Sequence, residues 1–228
     1  MSIGFFKELI AQYMRASIKP TNSFHKFPHF LDLQICEEIC NEIDSQILKK
    51  VSQKYSNNTD DRIFYFKSEK HSTLLNTIGQ AFCPKRYWLG FYMANRIIYK
   101  DNNLGSGEGW HRDSWSGQRK LIIYLNGVSQ DNGPTQLVNK SHSLINKLQS
   151  IIKGQGDRVT DEYVNINFKS EIETLIANTG DAVFFNPSAI HRGKPLKSGK
   201  RYALTFYFFD EGFTQTSIDN KFSVAHKE

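Results

Sequence analysis

Residues 109–113 read Gly-Trp-His-Arg-Asp, and this stretch indicates both the fold and the chemistry of the chain. His111 and Asp113 are two residues apart, a spacing at which both side chains point to the same face of a β-strand. An imidazole and a carboxylate presented side by side can hold one face of a metal ion. The 2-His-1-carboxylate arrangement of non-haem iron sites needs one further histidine and leaves positions open for substrates.

His191 is the candidate for that histidine, since ten residues after it Arg201 opens a strongly apolar strand. The segment Gly193–Gly199 can join two antiparallel strands, and a turn centred on Leu196 would place His191 opposite Arg201, with Cβ atoms about 5 Å apart. A guanidinium at that point offers a planar fork to the carboxylate of a bound anion. Thr205 follows on the same face of the strand and can add a hydroxyl. The pattern predicts a metal site beside an anion site.

The composition indicates a folded protein with one sizeable core. The chain has 228 residues, of which 39% are hydrophobic and 13% aromatic. Its 29 Lys and Arg exceed its 23 Asp and Glu, a net charge of +6, but the basic residues are scattered and form no nucleic-acid motif. The excess is compatible with an acidic small substrate and equally with solubility alone.

The apolar residues and the cysteines bear on the compartment. No apolar run is long enough to cross a bilayer, so we expect no stable membrane insertion. Residues 1–18 lack the basic start, long apolar block and cleavage site of a signal peptide, so we expect the protein in the cytosol. Cys36, Cys40 and Cys83 are too few for a disulfide framework, and the two helical ones, Cys36 and Cys40, are interpreted as buried small hydrophobes.

The first part of the chain has helical periodicity. Apolar residues at helical spacing predict helices over 3–16, 33–50 and 72–82. The helix over 3–16 is expected to lie on the core, although contact with a membrane surface stays open. The polar stretch 52–61 is predicted to be a loop.

Aromatic and β-branched residues then predict strands from 86 to 99 and beyond. Residues 141–152 indicate a helical insertion, capped by Ser141 or Ser143. Helices followed by many short strands suggest a β-sandwich or barrel with helices packed on one side. The further predicted strands are 109–115, 119–126, 134–139, 161–168, 181–185, 188–193 and 200–209.

Over about residues 90 to 210 the chain resembles the phytanoyl-CoA dioxygenase-like family of Fe(II)/2-oxoglutarate-dependent oxygenases. Asn139-Lys140 departs from the Pro-Gly that many relatives have before Ser-His, which changes a loop and leaves the site intact. The matching pieces are Trp110-His111-Arg112-Asp113, Leu121 to Asn126, Asp131 to Gln136, Ser141-His142, Gly180 to Phe185, His191 and Arg201.

The resemblance implies a mainly β fold, a double-stranded β-helix (a cupin-like jelly roll) with the metal between its two sheets. It implies that His111, Asp113 and His191 bind Fe(II) and that Arg201 binds the distal carboxylate of 2-oxoglutarate. Dioxygen would be the second cosubstrate. The implied reaction is hydroxylation of a small-molecule, acyl or sugar substrate, with release of succinate and carbon dioxide. Asp113 argues against a halogenase, since those enzymes open a halide position by losing the carboxylate.

The domain organisation follows from the same pattern. We expect one domain over 1–228, with a helical part at 1–85, a jelly-roll core at 86–210 and a tail at 211–228. The insertion at 140–178 has both ends near the predicted site, so it is expected to be a mobile lid or a static cover.

Two other functional classes stay open at this stage. One is a cupin-like metal enzyme that does not use 2-oxoglutarate and so has no need of Arg201. The other is a non-catalytic jelly-roll binding module, for which buried His and Asp without a metal would be costly. Trp110 and Trp115 flank the ligands, where they can line a substrate pocket or pack in the core. His142 is expected to support a turn. The primary substrate and the oligomeric state are not determined by the sequence.

Overall fold

The computed structural model describes residues 23–56 and 59–222, so the helix predicted over 3–16 lies outside the described residues. Within these ranges, none of the helices has the length and apolar character that a membrane span requires. The helices of these ranges are α1 (Leu33–Leu48), α2 (Ser72–Phe82), α3 (Leu144–Ile152), α4 (Asp161–Phe168) and α5 (Gln215–Lys221).

The strands form two antiparallel sheets. The strands of the described ranges are β1 (Phe24–Phe27), β2 (Gln53–Tyr55), β3 (Asp60–Ile63), β4 (Tyr87–Ile98), β5 (Gln118–Tyr124), β6 (Thr135–Val138), β7 (Ile172–Leu175), β8 (Ala182–Phe185), β9 (His191–Gly193) and β10 (Lys200–Asp210). The large sheet has the order β1-β8-β5-β10-β4-β3-β2, and the small sheet has the order β7-β6-β9. From β5 onward the chain passes from one sheet to the other and back, which is the winding of a double-stranded β-helix. The predicted jelly-roll fold is confirmed.

Strand β10 shows why the large sheet has one face toward helices and one toward a cavity. It pairs with β4 and β5, and its side chains alternate between the two faces. Leu204, Phe206 and Phe208 are buried against the apolar stripes of α1 and α2. Arg201 and Thr205 belong to the other set and line the cavity between the sheets. Helices packed on one sheet were predicted and are confirmed.

The predictions for α1, α2 and the insertion helix are close to the structure. α1 begins after Asp32, whose carboxylate accepts a hydrogen bond from the Gln34 amide. The start of α3 resolves the predicted alternatives for its cap, because Ser143 accepts from the Asn146 amide. The N-terminal part is not purely helical, however. The predicted loop 52–61 contains β2 and the start of β3, which pair as a hairpin at the edge of the large sheet.

Two predicted strands are wrong. Residues 161–168 form α4, because Thr160 caps the helix by accepting from the Tyr163 amide and Asp161 and Glu162 favour its first turn. Residues 109–115 form no regular strand, and pairing there is limited to isolated bridges at His111. The predicted tail also contains a helix, α5.

The predicted hairpin between His191 and Arg201 is wrong as well. β9 pairs with β6 in the small sheet, whereas β10 pairs within the large sheet. Hydrogen bonds to other parts of the chain prevent the segment between β9 and β10 from forming a tight turn. The Asn103 side chain bonds both the amide and the carbonyl of Leu196, and the Lys197 amide donates to the Asp131 carbonyl. The segment therefore carries the chain across from one sheet to the other.

Candidate metal centre

The structure brings His111, Asp113 and His191 together in the wall of one cavity. One ligand atom of each lies within 4.8 Å of the others. Nε2 of His111 is 3.5 Å from Asp113 Oδ1, and Nε2 of His191 is 3.4 Å from Asp113 Oδ2. The two imidazole rings are 4.4 Å apart between centroids. Two imidazole nitrogens and a carboxylate converging on one point form a donor set suited to a divalent transition metal.

The backbone explains why these side chains converge without a regular strand. His111 and His191 form an antiparallel bridge, with each amide donating to the carbonyl of the other. The Asp113 amide donates to the Pro187 carbonyl at 3.1 Å. This hydrogen bond holds the chain beyond His111 against the segment that follows β8. The intervening Arg112 turns the other way and is buried. His111 and Asp113 therefore share a face, as their spacing predicts, although the predicted strand is absent.

Hydrogen bonds select the tautomer of both histidines. Nδ1 of His111 lies 2.9 Å from the Gly109 carbonyl, and Nδ1 of His191 lies 2.9 Å from the Ala189 carbonyl. A carbonyl oxygen only accepts, so each Nδ1 carries a proton, which leaves Nε2 as the nitrogen available to a metal. Those are the atoms that face Asp113. Main-chain groups thus orient both rings with Nε2 toward Asp113, as a metal-binding role would require.

Lys120 is a site residue that the sequence analysis missed. Its Nζ lies 2.5 Å from Asp113 Oδ2 and 4.5 Å from the centre of the Tyr207 ring. A signal was present, since Lys120 shares its strand face with Ile122 and Tyr124, which also line the cavity. A lysine on the inward face of a buried strand needs a partner of opposite charge.

The charges of the cluster follow from burial and from each other. Burial would raise the pKa of Asp113, but Lys120 and the two histidines outweigh it and hold that pKa well below its ordinary value. Burial would lower the pKa of Lys120, but Asp113 and Tyr207 raise it above its ordinary value. Burial and the neighbouring His111 lower the pKa of His191, so this ring is neutral at physiological pH. A carboxylate and a neutral imidazole are the forms that bind a metal.

Arg201 lines the same cavity from the large sheet, together with Thr205. The guanidinium is buried, and it donates to the Gly133 carbonyl through one terminal nitrogen. Its Nε has no hydrogen-bond partner, and none of the ion pairs among residues 23–56 and 59–222 includes it. Burial lowers its pKa. A buried cation without a carboxylate partner, lining the same cavity as His111, Asp113 and His191, is a group that an anion could neutralise.

The flanking tryptophans lie elsewhere. Trp110 packs in a core cluster behind the histidines, where its Nε1 donates to Asp161 and the Arg192 guanidinium lies over its ring. Trp115 lies near Arg112, whose guanidinium is 5.4 Å from its ring centre. Neither ring is among the described residues that line the cavity. The expected supporting role of His142 agrees with its 2.9 Å contact to the hydroxyl of Ser23.

Comparison with known proteins decides the family. The chain matches the phytanoyl-CoA dioxygenase (PhyH) family over residues 27–203, which is most of its length. The chain belongs to the phytanoyl-CoA dioxygenase family. The resemblance drawn from its motifs is thereby confirmed, and with it the class of 2-oxoglutarate-dependent oxygenase-like enzymes. No curated protein matches the chain in sequence.

Solved structures of low sequence identity share the fold of this PhyH-family chain. The epimerase SnoN from nogalamycin biosynthesis has a TM-score of 0.63 at 14% identity, covering 92% of this chain and 84% of SnoN. HygX from Streptomyces hygroscopicus, solved with nickel and 2-oxoglutarate, has a TM-score of 0.60 at 15% identity, covering 89% and 88%. The carbocyclase SnoK, also from nogalamycin biosynthesis, has a TM-score of 0.61 at 14% identity, covering 90% and 83%.

Proposed function

We propose that this PhyH-family enzyme is an Fe(II)- and 2-oxoglutarate-dependent dioxygenase that hydroxylates a small molecule and releases succinate and carbon dioxide. His111, Asp113 and His191 would hold the iron, and Arg201 would bind the distal carboxylate of 2-oxoglutarate. The observation that carries the proposal is the shared cavity. A three-residue donor set and a buried arginine without a carboxylate partner open into the same space from opposite sheets.

The residues present fit an iron ion. Two imidazoles present Nε2, and an ionised carboxylate lies between them. Three protein ligands on one side leave the remaining positions of an octahedral ion free for cosubstrate and dioxygen. Iron bound there would supply the redox chemistry that couples dioxygen to oxidation of 2-oxoglutarate and substrate.

The protein side of the chemistry is binding and orientation. Arg201 can offer two parallel N–H groups to a carboxylate, and burial strengthens that interaction because little water competes with it. The Thr205 hydroxyl lies on the same strand face and can donate to the same carboxylate. Nζ of Lys120 forms an ion pair with Oδ2 of Asp113, whereas Oδ1 faces His111. This contact holds the carboxylate in one orientation toward the metal position.

The cavity wall supports a small organic substrate. Beside the charged groups it presents the apolar side chains of Phe64, Met93 and Phe222 and the polar side chains of Asn95 and Ser106. Such a mixed wall suits a molecule with both hydrocarbon and hydroxyl groups. HygX has been solved with hygromycin B bound, and SnoN with nogalamycin RO, so neighbours of this fold accept such molecules. Candidate substrates therefore include natural-product intermediates and sugars, besides acyl thioesters and amino acids.

Turnover assays with a substrate panel test the proposal, scored by succinate release with Fe(II) and 2-oxoglutarate supplied. We expect a substrate that raises succinate release and gains one oxygen atom by mass spectrometry. A product of unchanged mass would indicate epimerisation, and loss of two hydrogens would indicate ring closure. Either result would keep the cofactors and refute hydroxylation.

Binding measurements separate the two other classes without knowledge of the substrate. Calorimetric titration should show Fe(II) binding under anaerobic conditions, and 2-oxoglutarate binding only to the iron-loaded protein. Metal binding without 2-oxoglutarate binding would favour the cupin-like enzyme. Binding of neither would favour the jelly-roll binding module.

A further inference from the structure

Helix α3 is amphipathic in the reverse sense, with its apolar face outward. Leu144, Ile145, Leu148, Ile151 and Ile152 are between 50% and 81% exposed. At 100° per residue these five side chains fall on one stripe of the helix. A contiguous exposed patch of this kind marks a surface that is covered by something else.

The opposite face of α3 is polar and already used. The Ser150 hydroxyl accepts from the buried guanidinium of Arg112 and contacts the Tyr163 hydroxyl. Lys147 Nζ donates to the Trp115 carbonyl. These contacts hold α3 against the loop that carries His111 and Asp113. The apolar stripe therefore cannot turn inward without breaking them.

The described chain begins beside this helix. The Ser23 hydroxyl accepts from the Lys140 amide at 2.8 Å and lies 2.9 Å from Nδ1 of His142. The first residue of α3, Leu144, follows His142 by two positions. Residues 1–22 are thus tethered at the N-terminal end of the exposed stripe.

The sequence of that tethered segment is complementary to the stripe. Ile3, Phe6, Ile10, Tyr13 and Met14 recur at helical spacing. A helix over 3–16 would be about 21 Å long, against about 14 Å for α3. The six residues 17–22 can span up to about 20 Å, which is enough for the segment to turn back along α3.

We propose that residues 3–16 pack as an amphipathic helix on the exposed apolar face of α3. The segment is the occupant that the geometry favours, because its attachment point is fixed at the start of α3 and its apolar residues match the stripe. The contact would buttress α3, and through Ser150 and Arg112 the loop that bears two of the predicted metal ligands. This proposal does not depend on the reaction that the enzyme catalyses.

Photocrosslinking in the full chain tests the contact. Leu148 is replaced by p-benzoylphenylalanine, and a matched control carries the same replacement at Leu48, an exposed leucine of α1. After irradiation we expect position 148, and not position 48, to capture a peptide from residues 1–22 of the same chain. The yield should not fall on about tenfold dilution, because a tethered segment has a millimolar effective concentration.

Capture of a second chain with a yield that falls on dilution would overturn the proposal in favour of an interface between copies. Failure of position 148 to capture residues 1–22 would overturn it as well. Co-sedimentation with anionic phosphatidylglycerol vesicles tests whether a membrane surface covers the stripe instead. Co-sedimentation of the wild type that Leu148→Asp abolishes would assign the stripe to a lipid surface instead.

A double-mutant cycle gives an independent readout. Leu148→Asp and Ile10→Asp should each lower the midpoint of thermal unfolding, and the double variant should lose less than the sum of the two. Leu48→Asp combined with Ile10→Asp should be additive. Additivity of Leu148→Asp with Ile10→Asp would contradict the contact.

Discussion

The main-chain amides and carbonyls of His111 and His191 exchange two hydrogen bonds of 2.9 Å each, so the two histidines form a single antiparallel bridge. Neighbours in such a bridge have side chains on the same face, a few ångströms apart. One bridge therefore brings together two of the three members of the donor set from distant chain positions. Asp113, two residues beyond His111, completes it.

Removing a ligand should remove the metal. We expect His191→Ala and Asp113→Ala to weaken Fe(II) binding by more than about 100-fold, the upper range for loss of an outer partner alone. Calorimetric titration under anaerobic conditions measures this. His71→Ala is the control, since His71 pairs with Glu38 and does not line the cavity. Wild-type turnover after exhaustive chelation would contradict an iron-dependent reaction.

Arg201→Lys retains a charge and loses the planar fork. We expect it to weaken 2-oxoglutarate binding by about 1.5–3 kcal/mol, roughly 10- to 150-fold, with less effect on the primary substrate. The measurement is the Kd of 2-oxoglutarate for the iron-loaded protein. Arg86→Lys is the matched control, because Arg86 forms an exposed pair with Glu211. An unchanged 2-oxoglutarate KM in Arg201→Ala would assign the arginine a structural role.

Arg112 should stabilise the ligand loop, which is the stretch 109–113 that carries His111 and Asp113. Its buried guanidinium donates to the carbonyls of Ser141 and Ser188 and to the hydroxyl of Ser150. Burial lowers its pKa to about 10, so it is still charged at neutral pH. Arg112→Met keeps most of the volume and loses the donors, and should lower the free energy of unfolding by about 2–4 kcal/mol.

Urea unfolding measures that change, with Arg86→Met as the control. The exposed pair between Arg86 and Glu211 should be worth no more than about 1 kcal/mol. Equal losses in the two variants would show that Arg112 is not a structural tie.

The cysteines should be unreactive in the folded protein. Burial is the main cause that raises the pKa of Cys36 and of Cys40 to about 12. The thiolate is the reactive form, so a pKa of about 12 leaves very little of it at pH 8. A chromogenic disulfide reagent should therefore modify these thiols slowly until urea unfolds the protein. Rapid modification of Cys36 at pH 8 would contradict its burial.

The segment 140–178 remains a predicted lid, and hydrogen bonds at Arg158 should limit its motion. The Arg158 guanidinium donates to the carbonyls of Gly107 and Glu108. We therefore expect trypsin to cut first after Lys153, beyond the end of α3, and substrate to slow that cut if the segment closes over the metal. Equal cutting with and without substrate would leave a static cover. Preferential cutting after Arg158 would contradict those hydrogen bonds.

Much of the fold could be predicted because local patterns carried it. The stripe of Cys36, Ile39 and Ile43 at helical spacing predicts α1, and these side chains are buried in the structure. The period of two in β10 predicts a strand with Arg201 and Thr205 on one face. The pattern failed where local signals were ambiguous. Residues 161–168 have β-branched and aromatic character, yet the cap at Thr160 makes them a helix.

The donor set was determined by the sequence itself. The residue types and spacing of His111 and Asp113 specify which atoms can bind a metal. His191 is distant in the chain, but it can complete the set once folding brings it close to them. The partnership of Lys120 with Asp113 could not be predicted in this way. It depends on the position of β5 behind the ligand loop, and only long-range strand pairing sets that position.

The tertiary structure alone decided how the proposed metal and anion sites face each other. His191 and Arg201 are ten residues apart, and this spacing predicted that they lie in one hairpin. In the structure β9 pairs with β6 while β10 pairs with β4 and β5, so the two side chains meet across a cavity from opposite sheets. The sequence determined which groups are available, because chemistry belongs to residue types. Their arrangement required the pairing energy of strands distant in the chain, which no local pattern contains.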